Sequence, residues 1–251
     1  MNFTRQQKLA IASLLDDVGV AQIEAGIPAA GAEEKATICQ IIARRRRAKI
    51  AVWSRLALSD LQQCIDCGPD IIHISIPTSD IQIYSKLQKS KQWVVDQLFA
   101  CLQLLIDRRI KHVSIGFEDA FRCDDDFLIK ICNILLDFNI RRIRFADTVG
   151  TAFPLLCRTK FTKIAVATGH RADFGFHGHN DLGMGLANTI EALKHACDYA
   201  DTTLLGIGER TGNCDFYQLI RVAWPIFDFG VTIEAAADAQ REFQKIIHRA
   251  A

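Results

Sequence analysis

Short runs rich in β-branched and aromatic residues alternate along the chain with longer segments whose apolar positions recur at helical spacing, such as WVVDQLFACLQLLIDRR and DDDFLIKICNILLDF. The strand candidates are AQIEAGIP (from Ala21), KIAVWSR (from Lys49), DIIHISIP (from Asp70), KHVSIGFE (from Lys111), RRIRFAD (from Arg141), DFGFHGH (from Asp173) and DTTLLGIG (from Asp201). This alternation predicts a parallel sheet covered by helices. No linker divides it, so we expect one domain over residues 1–251.

The strand count leaves two architectures open. An open, doubly wound sheet accommodates seven strands, whereas a closed (β/α)8 barrel needs one more strand ahead of Met1. The sequence opens inside a predicted helix, so the pattern itself does not decide between the two folds. The choice depends on the motifs.

Composition narrows the functional classes. Hydrophobic residues make up 49% of the chain and charged residues 24%, and the net charge is +1. These values predict a large core and give no reason to expect nucleic acid or a membrane as a partner. The N-terminal stretch MNFTRQQKLAIASLL is typical of an amphipathic helix and not of a secretory signal, so we expect a cytoplasmic protein with reduced cysteines.

Chemically capable side chains follow the strand candidates one after another. They include Glu24, Arg55, Ser79, Glu118 and Thr148, which come at or just after the first five strands. The active site of a barrel enzyme is built at the C-terminal ends of its strands. Packing alone does not readily explain such groups at every strand end.

The sharpest motif is His177-Gly178-His179 at the end of the sixth strand candidate. Residues two apart in a strand point to the same face, so both imidazoles could bind one divalent ion. An H-x-H by itself is more often accidental or a pair of satisfied histidines, but Asn180 and Asp181 directly after it favour the metal. A carboxylate ligand has to come from elsewhere.

Two further motifs each allow two interpretations. FADTVG (Phe145 to Gly150) supplies an acid and a hydroxyl, although either could simply cap the next helix. GIGERTGN (Gly206 to Asn213) is either a tight strand-to-helix turn or a loop whose backbone approaches a ligand closely. Its spacing departs from a dinucleotide-binding fingerprint.

Together, IEAGIPAAG, SIGFEDAFR, FADTVGTAFP, HGHNDLGMGLAN and GIGERTGN resemble the family of isopropylmalate synthases, homocitrate synthases and HMG-CoA lyases, which have metal-bearing barrels. The GERTGN loop resembles the synthases, since the lyases carry a cysteine there. AVWSRLALSDL and HISIPTSDIQIYSKLQKSKQW look most like nitrogenase-associated homocitrate synthases. Isopropylmalate and citramalate synthases are the close alternatives, and a non-catalytic remnant or binding subunit is the alternative of another class.

The resemblance implies a set of roles. His177, His179 and Asn213 would bind a divalent ion (Mg²⁺, Mn²⁺ or Zn²⁺), Glu118 and Thr148 would be catalytic, and Arg55, Glu24, Ser79 and Thr148 would bind substrate. Acetyl-CoA and 2-oxoglutarate, or a similar 2-oxo acid, would be the substrates, and a homodimer is expected. Arg55 would hold the distal carboxylate of 2-oxoglutarate, on the strength of its charge and position.

The resemblance also implies a missing part. Family members begin with a strand ending in D-T-T-L-R-D-G-E-Q or similar, whose aspartate is the third metal ligand, and this sequence has no such segment. We therefore expect a TIM (β/α)8-type barrel lacking its first strand, with seven parallel strands and outer helices. A separate chain could supply that strand, or the start codon could be misassigned.

Overall fold

The computed structural model of the protein describes residues 3–248. Its strands are β1 (Gln22–Glu24), β2 (Lys49–Arg55), β3 (Ile71–Pro77), β4 (Val113–Glu118), β5 (Arg142–Asp147), β6 (Asp173–Gly178) and β7 (Cys197–Ala200). Its helices are α1 (Arg5–Val18), α2 (Ala32–Arg44), α3 (Leu58–Cys67), α4 (Lys91–Asp107), α5 (Asp125–Asp137), α6 (Pro154–Ala167), α7 (Gly185–His195), α8 (Phe216–Ala223) and α9 (Ile233–His248). The strands are all parallel and pair in sequence order from β1 to β7, as predicted.

Side-chain caps determine where several helices begin. The Thr4 hydroxyl accepts from the Gln7 N–H at the start of α1, while the Gln7 side chain accepts from the Thr4 N–H. Ser90 and Asp124 accept backbone N–H groups at the starts of α4 and α5 in the same way. Such caps satisfy N–H groups that have no partner inside the helix. They define the residue at which each of these three helices begins.

The seventh predicted strand is wrong by four residues. DTTLLGIG from Asp201 is not a strand; β7 ends at Ala200, and a short 3-10 turn follows at Leu204–Gly206. Leu205 adopts a left-handed backbone with φ of 58°, which breaks the pleat of a strand. Leu204 packs with Phe216 and Phe243 in a cluster away from the sheet, so the apolar residues of this segment serve a different layer.

The two faces of the sheet have different compositions. The outward face carries apolar residues that are buried beneath the helices, among them Ile50, Val52, Ile72, Ile74, Ile115, Phe117, Ile143, Phe145, Phe174 and Phe176. The alternate positions face the interior of the curled sheet and are largely polar, among them Glu24, His73, Ser114, Arg144 and His177. The helices are thus held by apolar burial, and the polar groups gather inside.

The outer edges of β1 and β7 pair with no other strand within residues 3–248. On the outside of the sheet, α9 packs against α1, where the rings of Phe3 and Phe243 meet edge to face at 6.0 Å. All nine cysteines are free thiols, as expected. In the part of the chain between residues 3 and 248, no helix is long and apolar enough to cross a bilayer.

Candidate metal and substrate site

The two histidines of the H-x-H motif converge, as the strand alternation predicts. The Nε2 atoms of His177 and His179 lie 3.3 Å apart at the end of β6. Burial lowers the pKa of His179, and the neighbouring His177 and Arg210 lower it further. A neutral imidazole is the form that binds a metal ion.

A buried ion-pair network contacts the Nδ1 side of the His177 ring. The Nδ1 atom of His177 lies 3.1 Å from Asp201 Oδ2. Arg144 Nη1 in turn donates to Asp201 Oδ2 at 2.6 Å and to Glu24 Oε2 at 2.8 Å. Burial alone would raise the pKa of Asp201, but Arg144 and His177 hold that pKa well below its usual range. The Asp201 carboxylate therefore fixes the ring orientation and keeps the proton of His177 on Nδ1, with Nε2 directed at His179.

Asn213 is brought to the same place by the glycine-rich loop. His179 and Asn213 form an isolated antiparallel bridge. The Nδ2 of Asn213 donates to the Ile207 carbonyl at 3.1 Å, which leaves its Oδ1 buried without a hydrogen-bond partner within residues 3–248. Gly212 takes φ of 93° and lies so close to Gly206 that an added Cβ would come 2.1 Å from the Gly206 carbonyl oxygen. Only glycine allows this loop to fold so tightly.

These three residues fit part of a divalent-ion site. Two imidazole nitrogens bound to one ion at about 2.1 Å would be about 3.0–3.4 Å apart, in agreement with the observed separation. The unpartnered Asn213 Oδ1 adds an acceptor of the kind that such ions bind. Among residues 3–248, however, no group of three or more His, Cys, Asp or Glu side chains is arranged to hold a metal. The three residues would therefore form an incomplete ligand set.

Glu118, Ser79 and Thr148 lie around the ends of β3, β4 and β5. Burial raises the pKa of Glu118; Lys86 acts against that rise, and Asp119 adds to it. The Asp119 N–H donates to Thr148 Oγ1 at 2.8 Å, and the buried Ser79 hydroxyl donates to Asp119 Oδ2. The structure thus joins Ser79 and Thr148 through Asp119, and Glu118, whose pKa is raised, ends the strand β4 that directly precedes Asp119.

Arg55 stands apart from this group. Its side chain is 68% exposed and its Nε donates to Asp60 Oδ2 at 2.5 Å. That ion pair faces the start of α3. The role of Arg55 in binding a distal carboxylate stays a prediction.

Three groups at the site were not assigned roles from the sequence. Arg144 and Asp201 form the network behind His177, and Arg210 makes a two-pronged ion pair with Asp181, with N···O distances of 2.8 and 3.0 Å. The signal for Arg144 was the alternation R-I-R-F, which puts its charge on the face opposite Ile143 and Phe145. Its partners could not be read from the sequence, since Glu24 lies 120 residues away.

Comparison with known proteins agrees with the motifs. The HMGL-like family model matches residues 1–238. The chain is 40% identical to homocitrate synthase subunit alpha of Clostridium pasteurianum, over 86% of this chain and 80% of that protein. It is 34% identical to a homocitrate synthase of Frankia alni, over 99% of this chain and 70% of that one. It is 33% identical to 2-isopropylmalate synthase 2 of Caldanaerobacter subterraneus subsp. tengcongensis, over 93% and 60%.

Solved structures support the fold. Hydroxymethylglutaryl-CoA lyase from Pseudomonas aeruginosa superposes with a TM-score of 0.83 at 16% identity, covering 98% of this chain and 87% of that one. The HMG-CoA lyase from Brucella melitensis gives 0.78 at 15% identity, covering 99% and 93%. The predicted TIM-type barrel fold, with seven parallel strands and outer helices in residues 3–248, is confirmed by these likenesses and by the strand order. The chain belongs to the HMGL-like family.

Proposed function

We propose that this protein is an acyltransferase that condenses acetyl-CoA with a 2-oxo acid, preferably 2-oxoglutarate, to give homocitrate. In this reaction the methyl carbon of acetyl-CoA loses a proton and bonds to the keto carbon, and water then cleaves the thioester to release CoA. The observation that carries the proposal is the convergence of His177, His179 and Asn213 in a chain 40% identical to a homocitrate synthase subunit.

His177, His179 and Asn213 are the residues that would hold a divalent ion, Mg²⁺, Mn²⁺ or Zn²⁺. When bound, such an ion supplies Lewis-acid polarisation of a carbonyl and stabilises the charge that develops on its oxygen. Asp201 keeps the His177 lone pair on Nε2, and the Arg144 guanidinium keeps Asp201 ionised. Thr148 has its oxygen engaged by the Asp119 N–H, which leaves the hydroxyl proton free to reach a substrate oxygen.

Glu118 is the group proposed to move a proton. Its carboxyl lies at the end of β4, where burial raises its pKa. A carboxyl whose pKa moves toward neutral pH is better matched to acid–base work. Glu118 would accept or return a proton within the pocket, while Glu24 and Ser79 would help to bind substrate.

The ligand set needs an oxygen donor from beyond residues 3–248, and the free edges of β1 and β7 offer a place for the strand that carries it. Unpaired strand edges are ready to accept a further strand. We infer that a segment inserted between these edges completes the site, either as part of a longer polypeptide or as a separate chain. One relative is itself named as a subunit. A homodimer is also proposed.

Isopropylmalate or citramalate synthesis is the alternative within the family, favoured by the 33% identity to a 2-isopropylmalate synthase. A non-catalytic binding subunit is the alternative of another class, and the incomplete ligand set favours it.

The test is CoA release from acetyl-CoA with a divalent metal, using 2-oxoglutarate, 2-oxoisovalerate or pyruvate as acceptor. It is run on this chain alone, on this chain with a family first strand fused upstream, and on this chain with that strand added as a separate polypeptide. We expect turnover with 2-oxoglutarate in the completed forms, lost in His177→Ala and reduced about 10²–10⁴-fold in Glu118→Gln. Faster turnover with 2-oxoisovalerate or pyruvate would assign the alternative synthases, and no turnover in any form would favour the binding subunit.

A further inference from the structure

The glycine-rich loop, residues 206–213, has an uncommon backbone conformation. Three of its residues take positive φ, namely Gly206 at 62°, Arg210 at 53° and Gly212 at 93°. Glycine adopts such angles freely, whereas a residue with a Cβ is crowded there. An arginine keeps this conformation where surrounding contacts hold it. The contacts of Arg210 therefore show what the loop is held against.

The side chain of Arg210 ties this loop to the ends of two other strands. Its Nε donates to Asp181 Oδ1 at 2.8 Å and its Nη2 donates to Asp181 Oδ2 at 3.0 Å, a two-pronged geometry that gives the ion pair a fixed direction. The same Nη2 donates to the Thr148 carbonyl at 2.8 Å. Thr148 follows β5 and Asp181 follows β6, so one guanidinium joins the loops after β5, β6 and β7. Arg210, Asp181 and the Thr148 carbonyl form what we call the clasp.

Gly150 leaves the space that the clasp occupies. A Cβ at this position would lie 2.3 Å from Asp181 Oδ2 and 2.7 Å from Asp181 Cβ, so any side chain there would displace the carboxylate. Gly150 also has φ of 62°, an angle that favours glycine. The FADTVG motif thus supplies both the carbonyl that accepts from Arg210 and the room for its acidic partner.

Asn213 lies at the base of the same loop. Its N–H donates to the Gly206 carbonyl at 2.9 Å, and its Nδ2 donates to the Ile207 carbonyl at 3.1 Å. The direction of its Oδ1, which has no hydrogen-bond partner within residues 3–248, therefore depends on the path of the loop. Arg210 lies midway along that path, and its side chain is bonded to the neighbouring strand ends. A loop freed at Arg210 would no longer hold the Ile207 carbonyl in one place.

We propose that Arg210 is a positioning residue, which through the clasp holds Asn213 Oδ1 in place beside His177 and His179 for a divalent ion. This inference rests on the proposed function, since the ion belongs to it, and goes beyond it by assigning a role to two residues that act through Asn213. The two histidines are held by β6 and its end. Release of the clasp should therefore remove the contribution of Asn213 and leave that of the histidines.

The test is calorimetric titration of the full chain with Co²⁺, alone and with the first strand supplied. Arg210→Gln and Asp181→Asn should each weaken binding about fivefold. This is less than the 10–100-fold typical of groups that contact a metal ligand, because the side chains of the pair are 41% and 23% exposed. Arg241→Gln and Asp238→Asn break an exposed Arg–Asp pair on α9. They are the matched controls and should leave the affinity unchanged.

Asn213→Ala separates action through Asn213 from a general loosening of the site. In that background Arg210→Gln should cause no further loss of affinity, since the residue it positions is gone. Imidazole sites bind Co²⁺ more tightly than Mn²⁺, which keeps the remaining binding measurable. Circular dichroism and urea unfolding without metal identify any variant that fails to fold. Asp181→Asn, which exchanges one oxygen for an amide nitrogen, keeps the test open if Arg210→Gln is such a variant.

The outcomes separate this inference from the proposed function. A loss of Co²⁺ affinity that disappears in the Asn213→Ala background supports the positioning role. Unchanged affinity in the clasp variants, or an equal loss with and without Asn213, overturns it. The proposed function then still stands if the wild-type chain binds Co²⁺ and His177→Ala does not. If the wild-type chain binds no Co²⁺ even with the first strand supplied, the proposed metal site fails and the positioning role fails with it.

Discussion

The outward and inward faces of the sheet are formed by alternate residues of the same strands, and they have different roles. On β5, Ile143 and Phe145 are fully buried against the helices, whereas Arg144 points inward to carboxylates on both sides. Apolar burial is non-directional and tolerates approximate fit. A buried guanidinium requires partners in defined places. The outer face therefore provides most of the stability, and the inner face fixes the positions of charged groups.

The largest effect on stability should come from the outer face. Phe145→Ala removes a ring that contacts Phe117 at 5.2 Å, Phe161 at 5.0 Å and Phe174 at 5.5 Å between centroids. The cavity and the lost burial should lower the free energy of unfolding by about 3–5 kcal/mol. Denaturant unfolding measures this change, with Leu155→Ala at a 63% exposed position as the control. If the free energy of unfolding falls by less than about 1 kcal/mol, the outer face does not provide most of the stability.

The inner face should respond less strongly and differently. Arg144→Met keeps the volume but leaves Glu24 and Asp201 without their cation. Breaking such a buried pair should lower the free energy of unfolding by about 2–4 kcal/mol, the lower end being favoured because the carboxylates are 34% and 27% exposed. Unfolding of Arg144→Met and of the surface variant Arg158→Met, compared at neutral pH, measures it. Equal stability of the two variants would show that the network contributes nothing to folding.

The contrast between the two faces also explains which strands could be predicted from the sequence. The outer face produces the alternating apolar runs from which strands β1 to β6 were placed, β2 with its bounds as observed. The seventh strand failed because DTTLLGIG has the composition of a strand while Leu205 takes a left-handed conformation. Composition reports the preference of a segment, and a single backbone angle set by tertiary packing can override it.

Contacts in the site that depend on local spacing along one strand could be predicted from the sequence. Contacts that depend on the curvature of the sheet could not. His177 and His179 are two residues apart in one strand, so their convergence follows from the pleat. The contacts of Arg144 with Glu24 and Asp201 join positions 120 and 57 residues apart. They arise only because the sheet curls far enough to bring β1 and β7 toward β5. No pattern along the chain encodes that curvature locally.

A smaller effect is expected when the inner face loses one charge and keeps its shape. Asp201→Asn removes the negative charge behind His177 and weakens the preference of the ring for a proton on Nδ1. Residues that support a metal ligand in this way typically contribute 10–100-fold to affinity, so Mn²⁺ should bind more weakly by about that factor. Calorimetric titration against wild type, with exposed Asp137→Asn as the control, measures it. Unchanged affinity would show that Asp201 does not position His177.

The smallest effect is expected at Glu118. There the pH dependence of the free energy of unfolding has the opposite sign to that of most carboxylates. Burial raises the pKa of Glu118 in the folded chain above its ordinary value, so the folded state binds the proton more tightly than the unfolded state does. The contribution of this proton is fully present below the unfolded-state pKa of about 4.3 and is lost as pH rises through the folded-state pKa. Glu118→Gln abolishes that loss. Its free energy of unfolding relative to wild type should therefore increase between pH 4 and pH 8. Urea unfolding across this range measures the difference, and Glu33→Gln, at an 84% exposed side chain, should show no such trend. If the free energy of unfolding of Glu118→Gln relative to wild type falls as pH rises, the Glu118 carboxylate is stabilised in its charged form. The end of β4 would then carry one more fixed anion on the inner face and no proton-moving group.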